Sequence, residues 1–114
     1  SVEYETSLGE YTEASEGFEY AIIDISTTNG TDEELSVSTL LQMEAKDELG
    51  FSYSPSITAM SQLDREYPQG SPLGPGEERR GKVVYEVPTE ADELYWMFEF
   101  GIFVDGYKVF WQLR

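Results

Sequence analysis

The run Phe18–Thr28, FEYAIIDISTT, constrains this chain more than any other stretch. It is long, holds no Gly or Pro, and is rich in β-branched and aromatic side chains, so it reads as a strand. Its two faces are Phe18, Tyr20, Ile22, Asp24 and Glu19, Ala21, Ile23, Ile25, Thr27. We assign the second set to the core, because its middle is apolar and Asp24 lies on the other face. Three further runs behave alike. Gly81–Val87 (GKVVYEV) puts Gly81, Val83, Tyr85 and Val87 on one face, and Pro88 ends it. Leu94–Phe100 (LYWMFEF) does so with Leu94, Trp96, Phe98 and Phe100, and Tyr107–Leu113 (YKVFWQL) with Tyr107, Val109, Trp111 and Leu113. Weaker strand character covers Val2–Leu8 and Leu35–Glu44, where the Leu40-Leu41 pair leaves the faces open.

Turn chemistry separates these runs. Asn29-Gly30 and Asp105-Gly106 are turn dipeptides. Lys46–Gly50 (KDELG) reads as a hairpin connection into Phe51–Tyr53, Thr89–Glu93 as a polar turn and Gly9–Gly17 as a loop. Ser54–Gly76 holds Pro55, Pro68, Pro72 and Pro75 and reads as a long crossing loop, with one helical turn near Thr58–Leu63. About seven short strands and no sustained helical period describe an antiparallel sandwich or barrel, in one domain over residues 1–114.

Charge bears on environment more than on fold. There are 23 Asp and Glu against seven Lys and Arg, a net charge of −16. The acids run from Glu3 to Asp105 and form no tail. Such a coat repels itself in dilute solution and is screened in molar salt, which points to a salt-loving source. Arg79-Arg80 is the only basic cluster and is flanked by Glu77 and Glu78, so nucleic acid is not an expected partner.

There is no Cys and no His, which removes disulfides, thiolate chemistry and the commonest general base and zinc ligand. No apolar run approaches the ~18 residues of a membrane helix. The expectation is no enzyme, no cofactor and no transmembrane segment.

Several ordered segments carry a resemblance. They are the Gly17–Asn29 strand with its Ile23-Asp24-Ile25 centre, Glu34–Thr39 (ELSVST), and Asp47-Glu48-Leu49-Gly50 leading into Phe51-Ser52-Tyr53. Leu73-Gly74-Pro75-Gly76-Glu77, Arg80-Gly81, Val84–Pro88 and Leu94 complete the set. Together they resemble the telokin-like domain-of-unknown-function family of secreted and lipoprotein chains in Gram-positive bacteria and archaea. The resemblance implies an all-β, immunoglobulin-like antiparallel β-sandwich outside the cytoplasm. Combined with the acidity it implies a haloarchaeal member. It supplies no catalytic residues, and the lack of a lipidation Cys leaves open an anchor elsewhere in a full-length chain.

Candidate sites are few. Asp32, Glu33, Glu34, Asp47 and Glu48 are the calcium candidates, since calcium gathers carboxylate oxygens in loops, although no loop has the Asp-x-Asp-x-Asn-Gly spacing. Glu90, Asp92 and Glu93 form a further acidic cluster. Asn29-Gly30-Thr31 fits the glycosylation acceptor pattern on an expected turn, with Asn29 as acceptor. Asp24 sits within an apolar strand, where a salt-bridged outer-face position is the expectation. Tyr95, Phe110, Trp96 and Trp111 offer a carbohydrate or peptide platform, but Trp96 and Trp111 are expected in the core, while Phe110 shares a face with Lys108, Gln112 and Arg114 and is a candidate contact residue. The expected function is a non-catalytic module of the cell envelope that binds a protein partner. The alternative is an accessory ligand- or calcium-binding domain using the 54–76 loop and the acidic turns.

Overall fold

The computed structural model describes residues 2–9, 12–35, 37, 39–63, 65–68, 72–99 and 108–114, with backbone alone at 40, 41, 99 and 108–110. The strands are β1 (Val2–Glu5), β2 (Ser7–Leu8), β3 (Thr12–Glu13), β4 (Phe18–Thr28), β5 (Met43–Asp47), β6 (Ser52–Tyr53), β7 (Glu78–Pro88), β8 (Leu94–Glu99) and β9 (Lys108–Gln112). Two single turns of helix, α1 (Thr39–Gln42) and α2 (Ile57–Met60), interrupt them. The sheets are β1-β4-β7 and β6-β5-β8-β9, and every strand pair is antiparallel. Seven strands dealt in this order between two facing sheets are the arrangement of an immunoglobulin-like sandwich. A small extra hairpin, β2–β3, lies outside both sheets.

The alternation read from the sequence builds the core. Ala21, Ile23 and Ile25 of β4 stand opposite Tyr85, Val83 and Gly81 of β7. Met43 and Ala45 of β5 stand opposite Phe98 and Trp96 of β8. All these side chains are buried, as are Val87 and Leu94. Each large apolar side chain sealed here contributes about 1.5–3 kcal/mol relative to exposure. One polar link crosses the core: the Trp96 indole N–H donates to the Tyr85 hydroxyl at 3.0 Å, joining β8 to β7.

The sequence reading needs four corrections. Tyr20 and Ile22, assigned to an outer face, are buried together with Val84. The reason is the β2–β3 hairpin, which forms inside the expected Val2–Leu8 strand and Gly9–Gly17 loop. Ser15 N–H donates to the Glu86 carboxylate at 2.8 Å, and Glu86 stands opposite Tyr20 in the sheet, so the hairpin lies over that side. Second, Leu35–Glu44 is no continuous strand. Leu35 makes one bridge to Leu73, and α1 occupies the Leu40-Leu41 position before β5 starts at Met43. Third, Trp111 is 45% exposed. It stands opposite buried Trp96 but on edge strand β9, which has a neighbouring strand on one side only.

Fourth, Arg114 turns inward. Its guanidinium pairs with Glu19, donates to Pro88 O at 3.0 Å and Ala91 O at 3.1 Å, and lies 4.6 Å from the Tyr4 ring centre. The expected helical turn near Thr58–Leu63 is α2, capped by the Ser56 hydroxyl. The Asp105-Gly106 turn and residues Phe100 and Tyr107 lie outside the described residues.

Candidate functional site

The acidic turns are built as hydrogen-bond acceptors for the backbone. Asp47 ends β5 on the core side of its sheet and is buried. One carboxylate oxygen accepts from Leu49 N–H at 2.9 Å and Phe51 N–H at 3.0 Å. The other accepts from the Tyr53 hydroxyl at 2.8 Å. Burial works to raise the Asp47 carboxyl, but these donors outweigh it and hold the group below its ordinary value of 3.8. Burial, with the hydrogen bond to Asp47, pushes Tyr53 up to about 12. Glu48 reaches the next turn, accepting from Asp92 N–H at 3.4 Å and Glu93 N–H at 3.2 Å. Its carboxyl is lowered by its own backbone N–H and that of Glu93.

At this hairpin the calcium candidates Asp47 and Glu48 have their oxygens accepting from N–H and O–H donors. Asp32, Glu33 and Glu34 sit on an exposed loop. Among the described residues no group of three acidic side chains is placed to hold a metal ion.

These contacts produce a defined shape. Asp47 N–H donates to Phe51 O and Gly50 N–H to Asp47 O, both at 3.1 Å, while Gly50 takes φ +89°, a region that favours glycine. The turn is therefore fixed by five hydrogen bonds converging on one residue. It holds Leu49 76% exposed and Phe51 64% exposed. A large apolar side chain in water is ordinary when single. Here two stand on one braced turn, and the carboxylate of Glu48, which precedes them in the chain, is tied to the backbone of the acidic Asp92-Glu93 turn.

Asn29 is not on an exposed turn; it is 1% exposed. Its amide nitrogen donates to Glu33 O at 2.6 Å and Leu73 O at 2.9 Å, and its amide oxygen accepts from Thr31 N–H and from the Thr31 hydroxyl. In the folded chain the nitrogen that would carry a glycan is enclosed and engaged. Asp24 follows expectation: both its oxygens accept from Arg80, at 3.1 and 3.0 Å, and that contact leads in lowering its carboxyl. Trp96 is core, packed edge-on to Phe98 at 5.9 Å and against Trp111 at 5.0 Å. Tyr95 donates to Glu93 at 3.1 Å. The Phe110 side chain lies outside the described residues.

Comparison with known proteins supports the architecture. A conserved hypothetical protein from Bacillus anthracis superposes with a TM-score of 0.67 at 19% identity, covering 100% of this chain and 85% of that one. An uncharacterized beta-sandwich protein from Clostridium difficile gives 0.57 at 22% identity, covering 100% and 82%. No curated protein matches the chain. At these identities the two structures speak to the fold alone. The sequence pattern of the family described as Domain of unknown function (DUF4352) matches residues 1–109, and the chain belongs to that family.

Proposed function

We propose that this chain is a non-catalytic protein-interaction module of the cell envelope, adapted to high salt, that docks through the Leu49–Phe51 hairpin tip. The observation that carries the reading is the bracing of that tip. Asp47, Tyr53 and Gly50 fix a turn whose outward side chains are apolar and exposed. A rigid apolar projection loses little conformational entropy on binding, so more of its burial is realised as affinity. Glu48 and the acidic Asp92-Glu93 turn tied to it set the partner's chemistry: an apolar socket edged with Lys or Arg, on a protein. An anionic lipid surface is disfavoured by the same acids. Molar salt would mute the charged rim and leave the apolar anchor as the main source of affinity.

Extracytoplasmic placement, by secretion or a lipid anchor, a telokin-like relationship and a haloarchaeal source belong to the same proposal. They rest on the resemblance of the ordered segments and on the dispersed acidity. Among the described residues no helix is long and apolar enough to cross a membrane. The calcium reading has less support, because Asp47 and Glu48 have other work.

The test is a parallel retention experiment in molar salt, using native envelope extract over immobilised wild type and over a Leu49→Ser, Phe51→Ser variant. Both side chains are exposed, so the variant keeps the fold, which its circular dichroism checks. The expected result is a protein retained by wild type and lost from the variant. Equal retention by both, or retention by neither, removes the tip as the docking element.

A further inference from the structure

We propose that the cavity between β4, β7 and residues 65–67 is a binding site for a small oxyanion, a phosphate or a carboxylate. The chain has only seven Lys and Arg among 23 acids. Three of them, Arg65, Arg80 and Lys82, line one cavity of about 320 Å³ together with Asp24 and Gly81. A solvated acidic coat gives no reason for so few cations to gather. Among the residues that line it, three are cationic and one, Asp24, is anionic, with Glu78 acting on Arg80 from beyond the lining.

The site is built by specific contacts. Gly81 lies under Tyr67: a Cβ at Gly81 would stand 2.3 Å from the Tyr67 Cα, so only glycine lets the segment cross there. Lys82 N–H donates to Arg65 O at 2.7 Å and Tyr67 N–H to Lys82 O at 3.0 Å, which fixes Arg65 beside Lys82. The buried Tyr67 side chain is held by its hydroxyl, 2.6 Å from the Thr27 hydroxyl. Asp24 then orients Arg80, taking its Nε–H and one Nη2–H, so that the Nη1 protons are not used by this pair. Among the described residues the ion pairs are Lys46–Glu44, Arg79–Glu77, Arg80–Asp24 and Arg114–Glu19. Arg65 and Lys82 take part in none of them.

The donor set selects the ligand class. An oriented guanidinium, a second guanidinium and an ammonium offer directional N–H donors to an oxyanion. A cation is repelled by the same groups. The long-range field of the whole chain opposes anions, but it decays within about 3 Å at 1 M salt, whereas contacts at hydrogen-bond distance survive.

The experiment is an amide-resolved NMR titration of the full chain in about 1 M potassium chloride, with sodium phosphate in one arm and sodium acetate in the other. The expected result is a saturable shift at the amides of Arg65, Gly81 and Lys82. Half-saturation weakens about tenfold in Arg65→Gln and in Lys82→Gln, the loss of one charge-assisted hydrogen bond. The Arg65 side chain is exposed, so Arg65→Gln leaves the fold intact, and unchanged amides elsewhere verify this. Saturation in the phosphate arm alone assigns a phosphoryl ligand, in the acetate arm alone a carboxylate, and in both a general oxyanion site. No saturation in either arm, or saturation unaltered in both variants, overturns the proposal.

Discussion

At the scale of single residues, the polar side chains that sequence marked for chemistry mostly hold backbone. Asn29 is the clearest case. Its N–H donates to Glu77 O at 3.0 Å, its carbonyl accepts from Gly76 N–H at 2.7 Å, and its side chain engages Glu33, Leu73 and Thr31. One residue thus stitches the end of β4 to the loop before β7. Asn-Gly-Thr carries no trace of this, because the loop it meets lies more than 40 residues later in the chain, at Leu73. Locally the motif reads only as a turn. Asn29→Ala removes the side-chain bonds to Glu33 O, Leu73 O and Thr31, leaving the Leu73 carbonyl with Leu35 N–H and the Glu33 carbonyl with the Thr31 hydroxyl, a loss of about 2–3 kcal/mol at typical net values per hydrogen bond. We expect a lower urea midpoint with an unchanged slope. A midpoint within error of wild type would show that water replaces the amide without penalty. Asp24 was legible for the opposite reason: an acid inside an apolar strand needs a cation, and Arg80 on the adjoining strand supplies it.

At the scale of elements, alternation predicted what the sheets use and failed where a second layer intervenes. The core faces of β4, β7 and β8 follow from period two. The burial of Tyr20 and Ile22 does not, since it depends on a hairpin whose two strands have two residues each, too short to leave a pattern. The exposure of Trp111 goes with the place of β9 at the sheet edge, which no local signal encodes. The β5–β6 hairpin was legible as a turn, and its Asp47…Gly50 pair marks a side-chain-braced turn with glycine at the positive-φ position. Counting carboxylates as cation ligands obscured that. Because the Asp47 carboxyl is lowered on folding, its stabilisation is present above the ordinary value of 3.8 and is lost only as pH falls through the lower folded value. The Leu49 and Phe51 amide resonances should therefore titrate together with a common midpoint below 3.8. In Asp47→Asn, which keeps an acceptor without the charge, that titration should vanish. Separate midpoints, or one at or above the ordinary value, would mean that the carboxylate does not organise the tip. On the alkaline side the sign reverses. Tyr53 is raised to about 12, so its contribution is present below its ordinary 10.0 and is lost as pH climbs toward the folded value.

At the scale of the whole molecule, two facts oppose each other: a sandwich clamped across its sheets and a charge of −16 spread over it. Arg114 is the outer clamp, tying β4 through Glu19 to the β7–β8 turn through Pro88 and Ala91. Against this stands mutual repulsion of the acids, and its size can be judged from their density. The accessible surface is 7136 Å². Divided among 23 acids it allots each one about 310 Å², a mean spacing of about 18 Å, to be compared with a Debye length of roughly 30 Å at 0.01 M salt, 8 Å at 0.15 M and 3 Å at 1 M. Repulsion therefore acts across several neighbours in dilute buffer and is largely screened by about 0.15 M. Screening alone predicts a steep early gain in stability and then a plateau. Salt adaptation predicts a continuing gain into the molar range, where salt strengthens apolar burial and sulfate outperforms chloride. We expect the urea midpoint to rise steeply to about 0.15 M and then more slowly, with sulfate above chloride at equal ionic strength. A curve flat from dilute buffer to 1 M would remove both the repulsion and the adaptation. A plateau identical in the two salts would leave the acidic coat as a matter of solubility, with the fold itself indifferent to brine.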